Sequence, residues 1–108
     1  MPNLTLDVSA MHSKANAAAS FLKALAHPDR LLLLCQLSHG EVCVSELEKE
    51  LGLHQPSLSQ QLTVLRHEGL VSARREGQHM LYSLASKQAL AVLRELQMQF
   101  CALPHAAR

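Results

Sequence analysis

The stretch of residues 55–68 reads QPSLSQQLTVLRHE and carries the most informative pattern in the chain. Its leucines, Leu58, Leu62 and Leu65, are spaced by four and three residues and therefore share one face of a helix. The remaining surface is mostly polar and carries Gln55, Ser57, Ser59, Gln60, Thr63 and His67. The stretch predicts an amphipathic helix that packs its leucines inward and exposes a polar face, with Gly69 as its C-terminal stop.

A shorter helix is predicted just before this one. Ser45 is followed three residues later by Glu48, which is typical of a capping box at a helix N-terminus. Gly52 then ends the helix. Two short helices joined by a glycine turn, the second with a polar outer face, form a helix-turn-helix. Any small helical protein can contain such a pair, so the next segment is needed to distinguish a DNA-binding helix-turn-helix from an ordinary pair of helices.

The segment that follows predicts a β-hairpin. Residues 70–75 and 80–84 each have the composition of a strand, and residues 76–79 form the hairpin tip around Gly77. A helix-turn-helix followed at once by a hairpin that carries Arg74 and Arg75 is the winged form. The predicted fold class is mainly α with a β-hairpin wing.

Three more helices are predicted around this unit. The first, from about Ser9, carries an apolar stripe of Met11, Ala15, Ala18, Leu22 and Leu25. The second begins at Pro28, runs to about Ser38 and is apolar nearly all round, which predicts a central position in the core. The last runs from Lys87 to Phe100 or Cys101. The outer two helices offer more apolar surface than one small core needs, so we expect a homodimer.

Length and composition are consistent with this fold. The chain has 108 residues, 48% of them hydrophobic, which suits one compact domain. We expect a loose N-terminal arm (residues 1–8), one DNA-binding and dimerisation domain (residues 9–103) and a C-terminal tail (residues 104–108). No apolar run is long enough for a membrane span and no secretory signal is visible, so we expect a cytoplasmic protein that does not contact membranes.

The polar helix face and the arginines predict binding to double-stranded DNA. The formal net charge is only +1, so total charge does not indicate a nucleic-acid partner. The types of residue on this surface indicate such a partner more clearly than the total charge does. Side chains that donate and accept hydrogen bonds can read base edges in the major groove: Gln55, Ser57, Ser59, Gln60 and Thr63. Basic side chains can contact phosphates or the minor groove: Arg66, Arg74 and Arg75. Because Arg74 and Arg75 alternate sides of a strand, we expect only one of them to face DNA. A two-fold dimer on an inverted-repeat operator is the natural arrangement.

The cysteines allow several interpretations. Cys35 lies in the most apolar helix and Cys101 near the end of the last one, and a buried cysteine often acts only as a small hydrophobic residue. Ligands at metal-site spacing are absent from the sequence, so no metal and no cofactor are predicted. An enzyme with Cys35 or Cys101 as nucleophile finds no support, because no Cys-x-x-Cys motif or adjacent histidine is present. A helical interaction module that does not bind DNA is disfavoured by Arg74, Arg75 and the Gln/Ser helix face.

Three segments resemble the ArsR/SmtB family of bacterial repressors: His27–Leu31 (HPDRL), residues 44–66, and Glu68–Val71 (EGLV). The resemblance covers about residues 15–101. It implies a dimeric winged-helix repressor that leaves DNA when an inducer binds, with the first and last helices as the dimer interface.

The sequence lacks the metal ligands of the metal-sensing members, and this difference indicates which subgroup of the family it resembles. Their Cys-Val-Cys motif appears here as Cys43-Val44-Ser45, and the zinc ligands of their last helix have no counterpart. The chain is instead similar to the sulfide- and persulfide-responsive subgroup (the BigR, SqrR, YgaV and HlyU type), whose two cysteines match Cys35 and Cys101. In that subgroup the pair forms a disulfide or polysulfide bridge with reactive sulfur species or oxidants, and DNA is released. The alternative is a metal- or arsenite-responsive repressor that uses Cys35, Cys43 and Cys101.

Overall fold

A computed structural model describes residues 7–100 of the chain. Its elements, in chain order, are α1 (Val8–Leu25), α2 (Pro28–Leu37), β1 (Val42–Cys43), α3 (Val44–Leu51), α4 (Ser57–His67), β2 (Val71–Glu76), β3 (His79–Leu84) and α5 (Lys87–Gln99). The prediction of a mainly α fold with a β-hairpin wing is confirmed. Residues 1–6 of the expected arm, and the expected tail, lie outside the described residues.

Side-chain caps define where three of the helices begin. Asp7 accepts a hydrogen bond from the backbone N–H of Ala10 (3.1 Å) at the start of α1. Nδ1 of His27 accepts from the N–H of Asp29 (3.1 Å) at the start of α2, where Pro28 takes a first-turn position. Ser86 caps α5 by accepting from Ala89 N–H (3.0 Å). Each cap satisfies a backbone donor that the first helical turn leaves without a partner.

The predicted N-cap at Ser45 is wrong. Cys43 is the N-cap of α3, and Ser45 lies inside the first helical turn. The physical reason is β1, a two-residue strand that the sequence pattern is too short to reveal: Val42 pairs with Tyr82 and Cys43 with Leu81. The chain stays extended up to Cys43, so the helix has to begin directly after it.

The wing is a regular antiparallel hairpin. The three strands lie in the order β1-β3-β2, and the β2–β3 register runs from Val71↔Leu84 to Glu76↔His79. Gly77 and Gln78 form the turn between the strands, and Gly77 has a φ of 63°, a left-handed conformation that glycine adopts without steric cost. Both strands therefore reach one residue farther toward the tip than predicted, and β2 begins one residue later.

Aliphatic side chains of α2 and α4 form the centre of the core. Leu33, Leu34, Cys35 and Leu37 of α2 are buried. The predicted inner face of α4 is buried too, with Leu58, Leu62 and Leu65 at 0–1% exposure. In residues 7–100 no polar or charged residue is buried, and no helix there has the length and apolarity to cross a membrane.

α1 and the end of α5 leave apolar side chains uncovered. Every residue of α1 up to Ser20 is exposed, and only its last turn contributes buried residues. Met11 and Leu22 on α1 are 54% and 55% exposed, and Met98 on α5 is 76% exposed. The single chain therefore buries only Leu25 of the apolar stripe that the sequence predicts on α1 and leaves the rest of the stripe exposed.

Candidate nucleic-acid interface and thiol site

The outward face of α4 presents polar side chains to solvent. Ser59, Gln60 and Thr63 are exposed. Ser59 Oγ donates to Oε1 of Gln55, and Thr63 Oγ1 donates to the carbonyl of Ser59 (2.9 Å). The side-chain amide of Gln60 has no hydrogen-bond partner within residues 7–100. Gln60 is therefore free to bind the edge of a base, and Ser57, half-buried at the first turn, completes the predicted set.

The two wing arginines have different surroundings. Arg74 forms a bidentate pair with Glu41, Nε to Oε2 and Nη2 to Oε1, both at 2.8 Å, and its Nη1 lies 3.5 Å from Glu76. The hydrogen bonds from Arg74 lower the pKa of the Glu41 carboxyl. Arg75 and Arg66 are exposed and have no ion-pair or hydrogen-bond partner in the part of the chain that the structure describes. Arg75 is therefore the wing arginine that is available to a phosphate.

Arg75→Gln should weaken binding to all DNA sequences and make the salt slope, d log K/d log [salt], less negative by about 0.9, because one phosphate contact is lost. Arg74→Gln should change the slope by less than half of that, since Glu41 already neutralises Arg74. Fluorescence anisotropy with one duplex at several salt concentrations measures both slopes. If the salt slope changed equally in the two variants, DNA would have to displace Glu41 from Arg74.

Cys35 lies at the contact between α2 and α5. Its side chain is 0% exposed. Burial raises the pKa of the thiol, and a hydrogen bond with Gln97 of α5 acts in the opposite, lowering direction. Gln97 Nε2 also donates to Ser38 Oγ (3.2 Å), and Ser38 Oγ donates to the carbonyl of Cys35 (2.6 Å). Since the thiolate is the reactive form, a buried thiol with a raised pKa is a slow first nucleophile.

The structure describes only one of the other two cysteines. Cys101 lies outside the described residues. Cys43 is half-buried, with its Sγ 3.2 Å from Ser45 Oγ and 3.5 Å from a carboxylate oxygen of Glu46. Between residues 7 and 100 there is no group of three His, Cys, Asp or Glu side chains that could hold a metal ion.

Sequence reasoning missed Glu41, Ser38 and Gln97. The only sequence signal for Gln97 is its spacing, since it precedes Cys101 by four residues, about one helical turn. Glu41 and Arg74 are 33 residues apart, and no local pattern pairs them.

Comparison with known proteins identifies the family. Residues 27–73 match the model of bacterial regulatory proteins of the arsR family. A biofilm growth-associated repressor from Agrobacterium fabrum is 46% identical over 97 residues, which cover 90% of this chain and 83% of that protein.

Solved structures agree in sequence and fold. Reduced HlyU from Vibrio cholerae matches with a TM-score of 0.83 and 38% identity, over 87% of this chain and 99% of that one. The transcriptional repressor BigR from Xylella fastidiosa matches with a TM-score of 0.81 and 43% identity, over 90% of this chain and 99% of that one. A homodimeric winged helix-turn-helix DNA-binding domain from Mycobacterium bovis matches with a TM-score of 0.71 and 30% identity, over 92% and 89% of the two chains. This chain belongs to the arsR family of bacterial regulatory proteins and is a winged helix-turn-helix transcriptional regulator.

Proposed function

We propose that the chain is a homodimeric repressor of transcription that a thiol switch releases from its operator. α4 and the wing bind an inverted repeat in double-stranded DNA. Reactive sulfur species or oxidants join Cys35 and Cys101 by a disulfide or polysulfide bridge, and the dimer then leaves the DNA. The observation that carries the switch is the contact between Cys35 and Gln97, which ties the buried thiol to the helix that leads into Cys101.

The DNA-binding part of the proposal rests on the two exposed surfaces of α4 and the wing. Gln60 and its polar neighbours Gln55, Ser57, Ser59 and Thr63 would contact base edges in the major groove. Arg66 and Arg75 would contact phosphates, with Arg74 held by Glu41 until DNA competes for it. Base contacts supply sequence preference, while phosphate contacts supply salt-dependent affinity and register.

The dimeric part rests on the uncovered apolar side chains. Met11 and Leu22 of α1 and Met98 of α5 are each more than half exposed in the described chain, and solvent exposure of such a surface is unfavourable. The homodimeric relative from Mycobacterium bovis supports a second copy of the chain as the cover. Pairing through α1 and α5 would place two copies of α4 on successive major grooves.

The thiol chemistry follows from the different positions of the two cysteines. Cys101 follows Gln99, the last residue of α5, by two positions in the sequence, and Gln97 of α5 contacts Cys35 and Ser38. Because Cys35 is buried and its pKa is raised, Cys101 would react first. A persulfide R–S–SH transfers its outer sulfur to the Cys101 thiolate, which gives Cys101–S–SH and the thiol R–SH. Attack by Cys35 on the inner sulfur then forms the disulfide and releases hydrogen sulfide.

A polysulfide bridge forms by a related step. If both cysteines carry a persulfide, their condensation gives a trisulfide and releases hydrogen sulfide. An oxidant such as hydrogen peroxide would convert Cys101 to a sulfenic acid, and Cys35 would then form the disulfide with loss of water. Each product would covalently link α2, at the centre of the core, to Cys101, two residues beyond α5 in the sequence. We expect this link to change the spacing of the two recognition helices.

A DNA shift assay tests the proposal. The parent protein first selects its preferred duplex from a random pool, and glutathione persulfide is then added to the complex. We expect the complex to dissociate and to re-form after dithiothreitol. A complex that persists while mass spectrometry shows a bridged protein would refute the switch. Release by arsenite that depends on Cys43 would instead favour the metalloid alternative.

A further inference from the structure

Arg30 lies where three helices meet, and the proposed function does not use it. Its Nε donates to the carbonyl of Ala24 (2.7 Å), and its Nη2 donates to the carbonyl of Lys23 (3.2 Å). Both carbonyls belong to the last turn of α1, where C=O groups lose their regular intrahelical partners, and that of Lys23 also accepts from the N–H of Ala26 (3.2 Å). Nη1 donates to Oε1 of Gln61 on α4 (3.1 Å). One guanidinium on α2 thus links the end of α1 to the recognition helix.

The space beside Arg30 is open rather than filled by side chains. A cleft of about 260 Å³ separates α1 from α4 and is lined by Arg30, Val64 and residues of the α1 C-terminus. A second cleft of about 550 Å³ lies between Arg30 and the polar face of α4 at Ser59, Gln60 and Thr63. Close-packed side chains normally fix the angle between two helices. The clefts interrupt such packing on the outer side of this junction, where the hydrogen bonds of Arg30 form a direct polar link between α1 and α4.

The same bonds orient Gln61. Arginine has only donors, so Gln61 has to present its carbonyl oxygen to Arg30. Its amide nitrogen has no partner within residues 7–100 and stays available to donate. Arg30 therefore also determines which end of the Gln61 amide remains available as a donor.

We propose that Arg30 is a positioning residue for DNA recognition: through Gln61 it sets the angle between α4 and the dimerisation helix α1. This inference rests on the proposed function, in which α1 joins two subunits and α4 enters the major groove. The angle between α1 and α4 then determines how far apart the two recognition helices lie. Arg30 thus sets the half-site separation that the dimer accepts. The planar, rigid guanidinium suits this bridging role better than the flexible ammonium of lysine.

The test measures tolerance to half-site spacing. Half-sites selected by the parent protein are placed at the preferred separation and one base pair closer or farther. We expect Gln61→Met and Arg30→Lys each to weaken binding at the preferred separation roughly tenfold, the cost of one charge-assisted hydrogen bond. Both should reduce the penalty for a shifted half-site while leaving the salt slope unchanged. The double variant should bind DNA no more weakly than the weaker-binding single variant, since both substitutions remove the same contact between Arg30 and Gln61.

Controls separate this role from simple helix capping. Gln60→Met makes the same change at the neighbouring position and should relax sequence preference without altering the spacing penalty. Gln61→Met leaves the α1 cap intact, so it tests the inference even if Arg30→Lys lowers stability. An unchanged spacing penalty in Gln61→Met would overturn the inference and leave Arg30 as a cap of α1. A parent protein that selects no duplex would instead contradict the proposed function itself.

Discussion

Cys35→Ser and Cys101→Ser are each expected to abolish release of the protein from DNA by persulfide. A bridge needs two sulfur atoms, so loss of either thiol leaves α2 and α5 unlinked. Parent affinity should fall by about 5- to 150-fold on bridging, the usual range of coupling between two sites. Each variant should bind DNA as the reduced parent does and change less than about twofold with persulfide. Anisotropy titrations before and after glutathione persulfide measure these values.

Mass spectrometry of the same samples tests the order of reaction. Because the Cys35 thiol is buried and its pKa is raised, Cys35→Ser should accumulate a persulfide on Cys101. Cys101→Ser should stay largely unmodified. The matched control is Cys43→Ser, which should respond as the parent does. Cys35→Ala checks that a hydroxyl beside Gln97 is not itself the cause of any change. A Cys101→Ser protein that still leaves DNA would refute the bridge.

Much of the fold could be predicted from the sequence because its helices are long enough to show a period. The leucine spacing in α4 identified the buried face, and Leu58, Leu62 and Leu65 are buried. The hairpin was recognisable from two apolar segments around Gly77. The start of α3 was not predictable, since the two residues of β1 show no period and their pairing with β3 is a tertiary interaction.

In the candidate site, too, features with a local sequence pattern could be predicted and contacts between distant segments could not. Residue types on one helix face indicate a DNA-reading surface, and Gln60 and Thr63 are exposed as that pattern requires. Contacts between distant segments leave no local pattern: Arg74 with Glu41, Arg30 with Gln61, and Cys35 with Gln97. Each pair joins residues at least 31 positions apart. These contacts distinguish the two wing arginines and connect the thiol and the dimerisation helix to the rest of the domain.

Met11→Lys is expected to convert the dimer into a folded monomer. In the proposed dimer the α1 stripe is covered by the partner, and a lysine there would bury an unpaired charge. The fold of one chain should survive, because Met11 is 54% exposed and is not part of the core. Without the second subunit each recognition helix binds alone, so operator affinity should fall roughly a hundredfold or more. Sedimentation measures the oligomeric state, thermal unfolding measures the stability of the single chain, and anisotropy measures operator affinity.

The matched control for Met11→Lys is Ser13→Lys, which adds the same charge on the same exposed helix. Two helical positions turn the side chain by about 200°, so Ser13 lies opposite the apolar stripe. Ser13→Lys should remain dimeric and bind DNA at least as well as the parent. A half-site duplex separates avidity from damage to α4, since Met11→Lys and the parent should bind a single half-site with similar affinity. If Met11→Lys remains dimeric, the apolar stripe of α1 is not the interface, and another surface must hold the two recognition helices at their spacing.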